Sequence, residues 1–157
     1  MSALTSNATE TQYSLARITK ALVQTRKLTV GVSSYGRSFE MSQAGYTGPS
    51  CKHTCNGATK GRCTKISGYL ANADINELLD NNPSADHRYD SDSDSDFLVY
   101  DKTQWVAYIT TETQNRRIKE YQGKDMGGSV EWSIDLQSFF PGLILGPGIF
   151  LPMPEDV

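Results

Sequence analysis

The chain has 157 residues, a formal net charge of −3 and a mean hydropathy of −0.46. That length suffices for one domain with a real core, although a hydrophobic share of 38% makes the core lean. There is no basic stripe of the kind that marks a nucleic-acid partner, and no run approaches the roughly 18 apolar residues that would span a bilayer.

At the N-terminus, Met1–Asn7 lacks the charged and apolar regions of a signal peptide, so no secretory signal is expected in this chain. Asn7-Ala8-Thr9 is a glycosylation sequon, a pattern that also arises by chance. Residues 10–26 read as the first helix, because Leu15, Ile18, Leu22 and Val23 recur at helical spacing and Thr9 or Thr11 is placed to cap it. A strand follows directly over Leu28–Arg37. There Leu28, Val30 and Val32 alternate with Thr29, Gly31 and Ser33, giving one bulky and one small face. Helix running straight into strand is the step from which α/β folds are built.

After Phe39 the texture changes. Residues 42–68 carry Gly45, Gly48, Pro49, Gly57, Gly61 and Gly68 and read as loop and short-strand material. Cys51, Cys55 and Cys63 cluster here. Their spacing with His53 matches structural zinc sites poorly, so no metal is expected. One disulfide is the expectation, with Cys51–Cys63 and Cys55–Cys63 equally compatible and one thiol left over. Ala71–Leu79 reads as a short helix with Asn72 as its cap, stopped by Asn81-Asn82-Pro83. Phe97–Tyr100 and Gln104–Ile109 read as a hairpin joined at Asp101-Lys102-Thr103. A helix is expected over Thr111–Tyr121 and a last strand over Gly127–Leu136. The tail beyond Phe140-Pro141 shows no clear element.

Asp90–Asp96 alternates carboxylates as a calcium loop does. It carries Ser95 and Asp101 where an EF-hand needs Gly and Glu, so it reads as a solvated, self-repelling loop. No nucleophile elbow, phosphate loop or dinucleotide fingerprint is present, and no cofactor is expected. Glu131 and Asp135 are read as sharing a face of the last strand, which strands also do for structural reasons. Tyr35, Arg37 and Trp132 lie on or just past strands, where α/β folds place their sites. Trp suits stacking on a sugar ring and Arg donates a planar fork, although on pattern alone a buried Trp132 is the ordinary expectation.

Several motifs carry a resemblance. Gly31–Phe39, Gly61–Thr64, Gly68-Tyr69-Leu70, Gln104-Trp105-Val106 and Gly127–Leu136 resemble, in order, the C-terminal part of glycoside hydrolase family 18 chitinases, with the flavour of the fungal killer-toxin-like group. The resemblance runs from about Thr9 to Phe139. It implies an α/β fold: the last two strands and neighbouring helices of a (β/α)8 barrel (residues 1–38 and 109–140), an inserted α+β chitin insertion domain (39–108) and an irregular tail (141–157). Leu28–Ser34 would be the seventh strand and Gly128–Leu136 the eighth. The same resemblance makes Trp132 the floor of the subsite where the bond is cut and places Tyr35 and Arg37 on the cleft wall. Asp74 falls where the insertion domain presents an acidic residue, commonly Glu, to the substrate. The partner implied is chitin or its oligomers, and the location implied for the family is extracellular.

Such enzymes use the substrate's acetamido oxygen as nucleophile and a glutamic acid as proton donor, outside the two-carboxylate scheme. That acid sits in Asp-x-x-Asp-x-Asp-x-Glu, which these residues do not contain. The expectation is therefore a partial cleft wall, inactive alone, from a fragment, a truncated gene model or a degenerate relative. A non-catalytic carbohydrate-binding module is the alternative, as is an interaction remnant that associates through exposed strand edges.

Overall fold

The computed structural model describes residues 7–45 and 56–139. Helix α1 spans Ala8–Lys20, and its cap is Asn7, whose side chain accepts the Glu10 N–H at 3.2 Å. The two threonines expected to cap are used otherwise: Thr9 Oγ1 donates to the Asp92 carbonyl and Thr11 Oγ1 to that of Asn7. The helix is shorter than the expected 10–26, because Leu22 takes a left-handed φ of 64° and Thr25–Lys27 forms a separate 3-10 turn.

Strand β1 (Thr29–Ser33) turns Val30 and Val32 inward, at 5% and 3% exposure, against Ile109, Tyr121, Leu15, Ile118 and Met126. Burying each of these valines contributes on the order of 1.5–3 kcal/mol. On the opposite face Thr29 and Gly31 are exposed, whereas Ser33 is half-buried. The chain then passes through Ser34 alone into β2 (Tyr35–Glu40), which belongs to a different sheet. The change of sheet thus falls at Ser34.

That second sheet is antiparallel and holds β3 (Tyr69–Ala71), β4 (Asp86–Asp90), β5 (Ser95–Tyr100) and β6 (Gln104–Tyr108) with β2, in the order β3-β2-β6-β5-β4. Helix α2 (Asn72–Asn81) follows β3, and one face of the sheet encloses Ala58, Leu70, Ile75, Leu98, Tyr100, Val106 and Tyr108. The other face buries Met41, Phe97, Trp105 and Ala107, with Phe97 and Trp105 rings stacked 5.3 Å apart. Gly36 is required in β2 because a Cβ there would lie 2.5 Å from Val106 Cγ2 and 2.7 Å from the Ala107 carbonyl oxygen. The expected hairpin is present, with Asp101 and Lys102 at φ 47° and 66° in its turn.

Helix α3 (Thr111–Gly123) leads to β7 (Gly128–Trp132), which pairs in parallel with β1 from Thr29↔Gly128 to Ser33↔Trp132. A second 3-10 turn, Ile134–Leu136, replaces the end of the expected strand. Asp135 therefore lies off β7 and shares no strand face with Glu131. No helix among the described residues is long and apolar enough to cross a membrane.

The acidic run is not the solvated loop expected from its charge. It forms the end of the β4–β5 hairpin and docks on α3, with Ser93, Ser95 and Asp96 buried. Arg116 and Arg117 both bond the Asp94 carboxylate, Arg117 Nε at 3.0 Å. Burial pushes the Asp94 carboxyl up, but Arg116, Tyr89 and Arg117 outweigh it and hold it below the usual range. Asp96 accepts the Thr110 N–H at 2.9 Å and the Thr113 hydroxyl at 2.7 Å, so it closes the N-terminus of α3.

Candidate functional site

A parallel strand pair leaves its carboxyl ends as the natural place for a site, and here those ends meet the edge of the second sheet. Ser34, fully buried, is the joint. Its N–H donates to the Trp132 carbonyl at 2.8 Å, its carbonyl accepts the Asn72 N–H at 3.0 Å, and its hydroxyl donates to Glu131 Oε1 at 2.7 Å. Asn72 extends the joint. It was expected to cap α2, but the helix starts at Asn72 after Ala71, and the Asn72 side chain instead donates to the Ile109 carbonyl at 3.3 Å and to Gln137 Oε1 at 2.9 Å. One hydrogen-bonded knot thus ties β1, α2 and β7 together beneath the strand ends.

Trp132 stands on this knot with its side chain in the open. It is 67% exposed, which overturns the ordinary expectation of a buried tryptophan. Val130, 49% exposed, shares its face of β7, and Gly31 and Ser33 lie on the same face of β1. This leaves a shallow shelf with one large aromatic at its end.

Two residues further along the chain from Ser33, Tyr35 begins β2. Tyr35 and Arg37 project from one face of that strand, and the register sets Arg37 opposite Tyr69. The Tyr35 and Tyr69 rings lie 4.5 Å apart, with the Arg37 guanidinium 5.8 Å from the first ring centre and 5.2 Å from the second. Burial pushes the Tyr69 hydroxyl up in pKa, as do Tyr35 and Asp135, while Arg37 opposes them. Tyr69 thus feels both Arg37 and the Asp135 that follows Trp132. Asp135 itself accepts a hydrogen bond from the Ser133 hydroxyl.

Asp74 lies apart from this cluster. It is 3% exposed, and its oxygens accept the Cys63 N–H at 2.8 Å and the Ala71 N–H at 3.2 Å, so it holds the 61–63 turn against the start of α2. Gly61 permits the approach, since a Cβ there would lie 2.2 Å from Asp74 Oδ2. The structure brings Trp132, Tyr35 and Arg37 to one end of the fold and leaves Asp74 buried apart from them.

Cys63 is a free thiol, so neither pairing expected for it is formed. Cys51, Cys55 and His53 lie outside the described residues. Burial pushes the Cys63 thiol up, reinforced by Asp74 and Asp135. His87 lies on the edge strand β4, its Nε2 3.5 Å from Asp96 Oδ1 and away from this end of the fold. Among the described residues no three His, Cys, Asp or Glu side chains converge as a metal site would require.

Tyr69 and the Ser34–Asn72–Gln137 knot were not singled out as site residues from the sequence. Tyr69 carried one usable signal, its place directly after a glycine at the head of a short strand. Gly68 has φ +81°, and a Cβ on Gly57 would lie 2.4 Å from Gly68 N, so backbone packing places Tyr69.

Residues 2–137 match the sequence pattern of glycosyl hydrolases family 18. The secreted chitinase LysM12 of Penicillium expansum is 47% identical across 88% of this chain, and the probable chitinase LysM18 of that fungus is 46% identical across 85%. The chain spans only 10% of the length of either relative. Among solved structures, human YKL-39, described as a pseudo-chitinase with retained chitooligosaccharide binding properties, superposes with a TM-score of 0.71 at 25% identity, covering 80% of this chain and 33% of that one. The Ostrinia furnacalis group IV chitinase gives a TM-score of 0.67 at 23% identity, over 71% of this chain and 29% of that one, which shows the fold alone.

Proposed function

The chain belongs to glycosyl hydrolases family 18, and on that premise we propose that it forms the C-terminal wall of a chitin-binding cleft. In this proposal β1 and β7 are the seventh and eighth strands of the family barrel, and the five-stranded sheet with α2 is the chitin insertion domain. The shelf of Gly31, Ser33, Val130 and Trp132 then faces the barrel interior. The free outer edges of β1 and β7 receive further barrel strands, which also removes the hazard of open edges.

Trp132 carries the proposal: it is a large aromatic standing 67% exposed at the carboxyl end of a strand. Its flat face takes the apolar face of a pyranose ring. Arg37 and Tyr35 donate hydrogen bonds to hydroxyl or carbonyl oxygens of the sugar beside it. The Ser34 knot fixes the Trp132 backbone relative to β2, so the stacking floor and the donors keep one spacing. Asp74 works at one remove, by shaping the 61–63 turn.

Hydrolysis needs a proton donor at the leaving oxygen, and the family's acid motif is not among these residues. In the proposal this chain binds and orients the polymer, and the acid comes from barrel strands it does not contain. The secreted LysM12 relative supports an extracellular setting. The test is a titration of the 157-residue chain with N-acetylglucosamine oligomers, following tryptophan fluorescence and released sugar together. A saturable fluorescence change without product is expected. Turnover would overturn the division of labour, and a folded chain with no fluorescence response would overturn the binding site.

A further inference from the structure

Asn7-Ala8-Thr9 is the one complete glycosylation sequon in the sequence. Asn82-Pro83-Ser84 has the right ends, but its central proline bars it. In the fold the two ends of the Asn7 amide are used differently. Oδ1 caps α1 by accepting the Glu10 N–H at 3.2 Å. Nδ2 has no hydrogen-bond partner among the described residues, and on the half-buried Asn7 it is not sealed from solvent. The Asn7 backbone is extended, at φ −73° and ψ 116°, so its side chain stands at the very start of the helix. A cap needs only the amide oxygen, and N-glycosylation uses only the nitrogen.

Resting on the extracellular setting given above, we propose that Asn7 carries an N-linked glycan and that α1 keeps its cap with the glycan attached.

The transfer joins Asn7 Nδ2 to the anomeric carbon of a lipid-pyrophosphate-linked oligosaccharide. That carbon's bond to the pyrophosphate oxygen breaks, the lipid pyrophosphate leaves with the electron pair, and one Nδ2 proton is released. One N–H remains on Nδ2, and Oδ1 is still a free acceptor. The reaction also requires the Thr9 hydroxyl, which in the fold donates to the Asp92 carbonyl at 2.9 Å. Modification therefore precedes the docking of α1 on the β4–β5 turn. Once docked, Ala8 is buried and its N–H donates to the Ser93 carbonyl at 2.9 Å, so the middle of the sequon faces inward while Asn7 stays at the edge. These two bonds to the β4–β5 turn, which Arg117 ties to α3 through Asp94, give the glycan a fixed root.

Two measurements on the 157-residue chain test the two halves. In the first, the chain is expressed in a eukaryotic host behind a cleavable secretory signal, and its intact mass is read after the signal has been removed. The wild type and Thr9→Ser should carry one glycan, which an N-glycan amidase releases with Asn7 converted to aspartate. Asn7→Gln and Thr9→Val should carry none. A signal-cleaved wild type with the mass of the bare chain overturns the site, as does a glycan that survives in Thr9→Val. Entry into the secretory lumen is fixed by the added signal and read from its removal, so an unmodified chain counts against Asn7 and not against the extracellular setting. In the second, hydrogen exchange at the Glu10 amide is compared with that of bare chain made in the cytosol. Bare Asn7→Ala should exchange about fivefold faster than bare wild type, and the glycosylated wild type should match the bare one. Exchange in the glycosylated chain as fast as in Asn7→Ala, or a wild-type rate in Asn7→Ala, overturns the retained cap.

Discussion

The two tryptophans are expected to fail in opposite ways when removed. Trp132 is 67% exposed and Trp105 is 1% exposed. A tryptophan offers roughly 250 Å² at the upper end of its burial range, so about 165 Å² of Trp132 stands open. A sugar ring stacked on one face covers about half of that, near 80 Å². At about 25 cal/mol per Å² this is about 2 kcal/mol, or roughly a thirtyfold loss of affinity in Trp132→Ala. Stability should change by no more than about 0.5 kcal/mol, since the substitution opens no cavity. Trp105→Ala removes a ring packed between Phe39 and Phe97 and should cost about 3–5 kcal/mol of stability. Urea unfolding and calorimetric titration with a chito-oligosaccharide read both quantities on both variants. A Trp132→Ala protein that loses several kcal/mol of stability, or keeps its affinity, would refute the placement of Trp132 as an open stacking floor.

Further outcomes follow from individual contacts. Gly61→Ala should destabilise by about 1–3 kcal/mol, because its Cβ would lie 2.2 Å from an Asp74 oxygen that cannot move without releasing backbone donors; thermal unfolding checks it. Ser34→Ala leaves a half-exposed Glu131 without its hydroxyl donor and should cost about 1 kcal/mol by urea unfolding. Asp94 has a folded-state pKa below its unfolded value, so its contribution to stability is present above the ordinary Asp range and is lost as pH falls through the lower folded value. Below about pH 4 the wild type should therefore lose urea stability more steeply than Asp94→Asn, and parallel acid limbs would contradict this.

The parts of the fold that were legible in the sequence are those with a local cause. Val30 and Val32 alternate because one face of β1 is buried, and Asp101-Lys102 marks a turn because both residues adopt positive φ. Strand β4 was not legible, since Asp86–Asp90 is charged and largely exposed on both faces, and its place at the sheet edge comes from backbone pairing with β5. The acidic run misled for a related reason: the arginines that neutralise Asp94 lie 22 and 23 residues away on α3. At the candidate site, the motifs singled out Trp132, Tyr35 and Arg37, which the structure gathers at one end of the fold. Asp74 occupies the position those motifs assign it, but its surroundings turn it inward, because Gly61 lets the 61–63 turn close over it. Cys63 shows the limit of counting cysteines, since its thiol is free in the structure despite the clustered spacing.

The most direct measurement is a map of backbone amide shifts as a chito-oligosaccharide is added to the 157-residue chain. If the carboxyl ends of β1 and β7 form a cleft wall, the saturating shifts will centre on Trp132, Tyr35, Arg37 and Tyr69 and leave the β4–β5 hairpin unmoved. Shifts centred on that hairpin, or none at saturating sugar in a folded protein, would contradict the cleft wall.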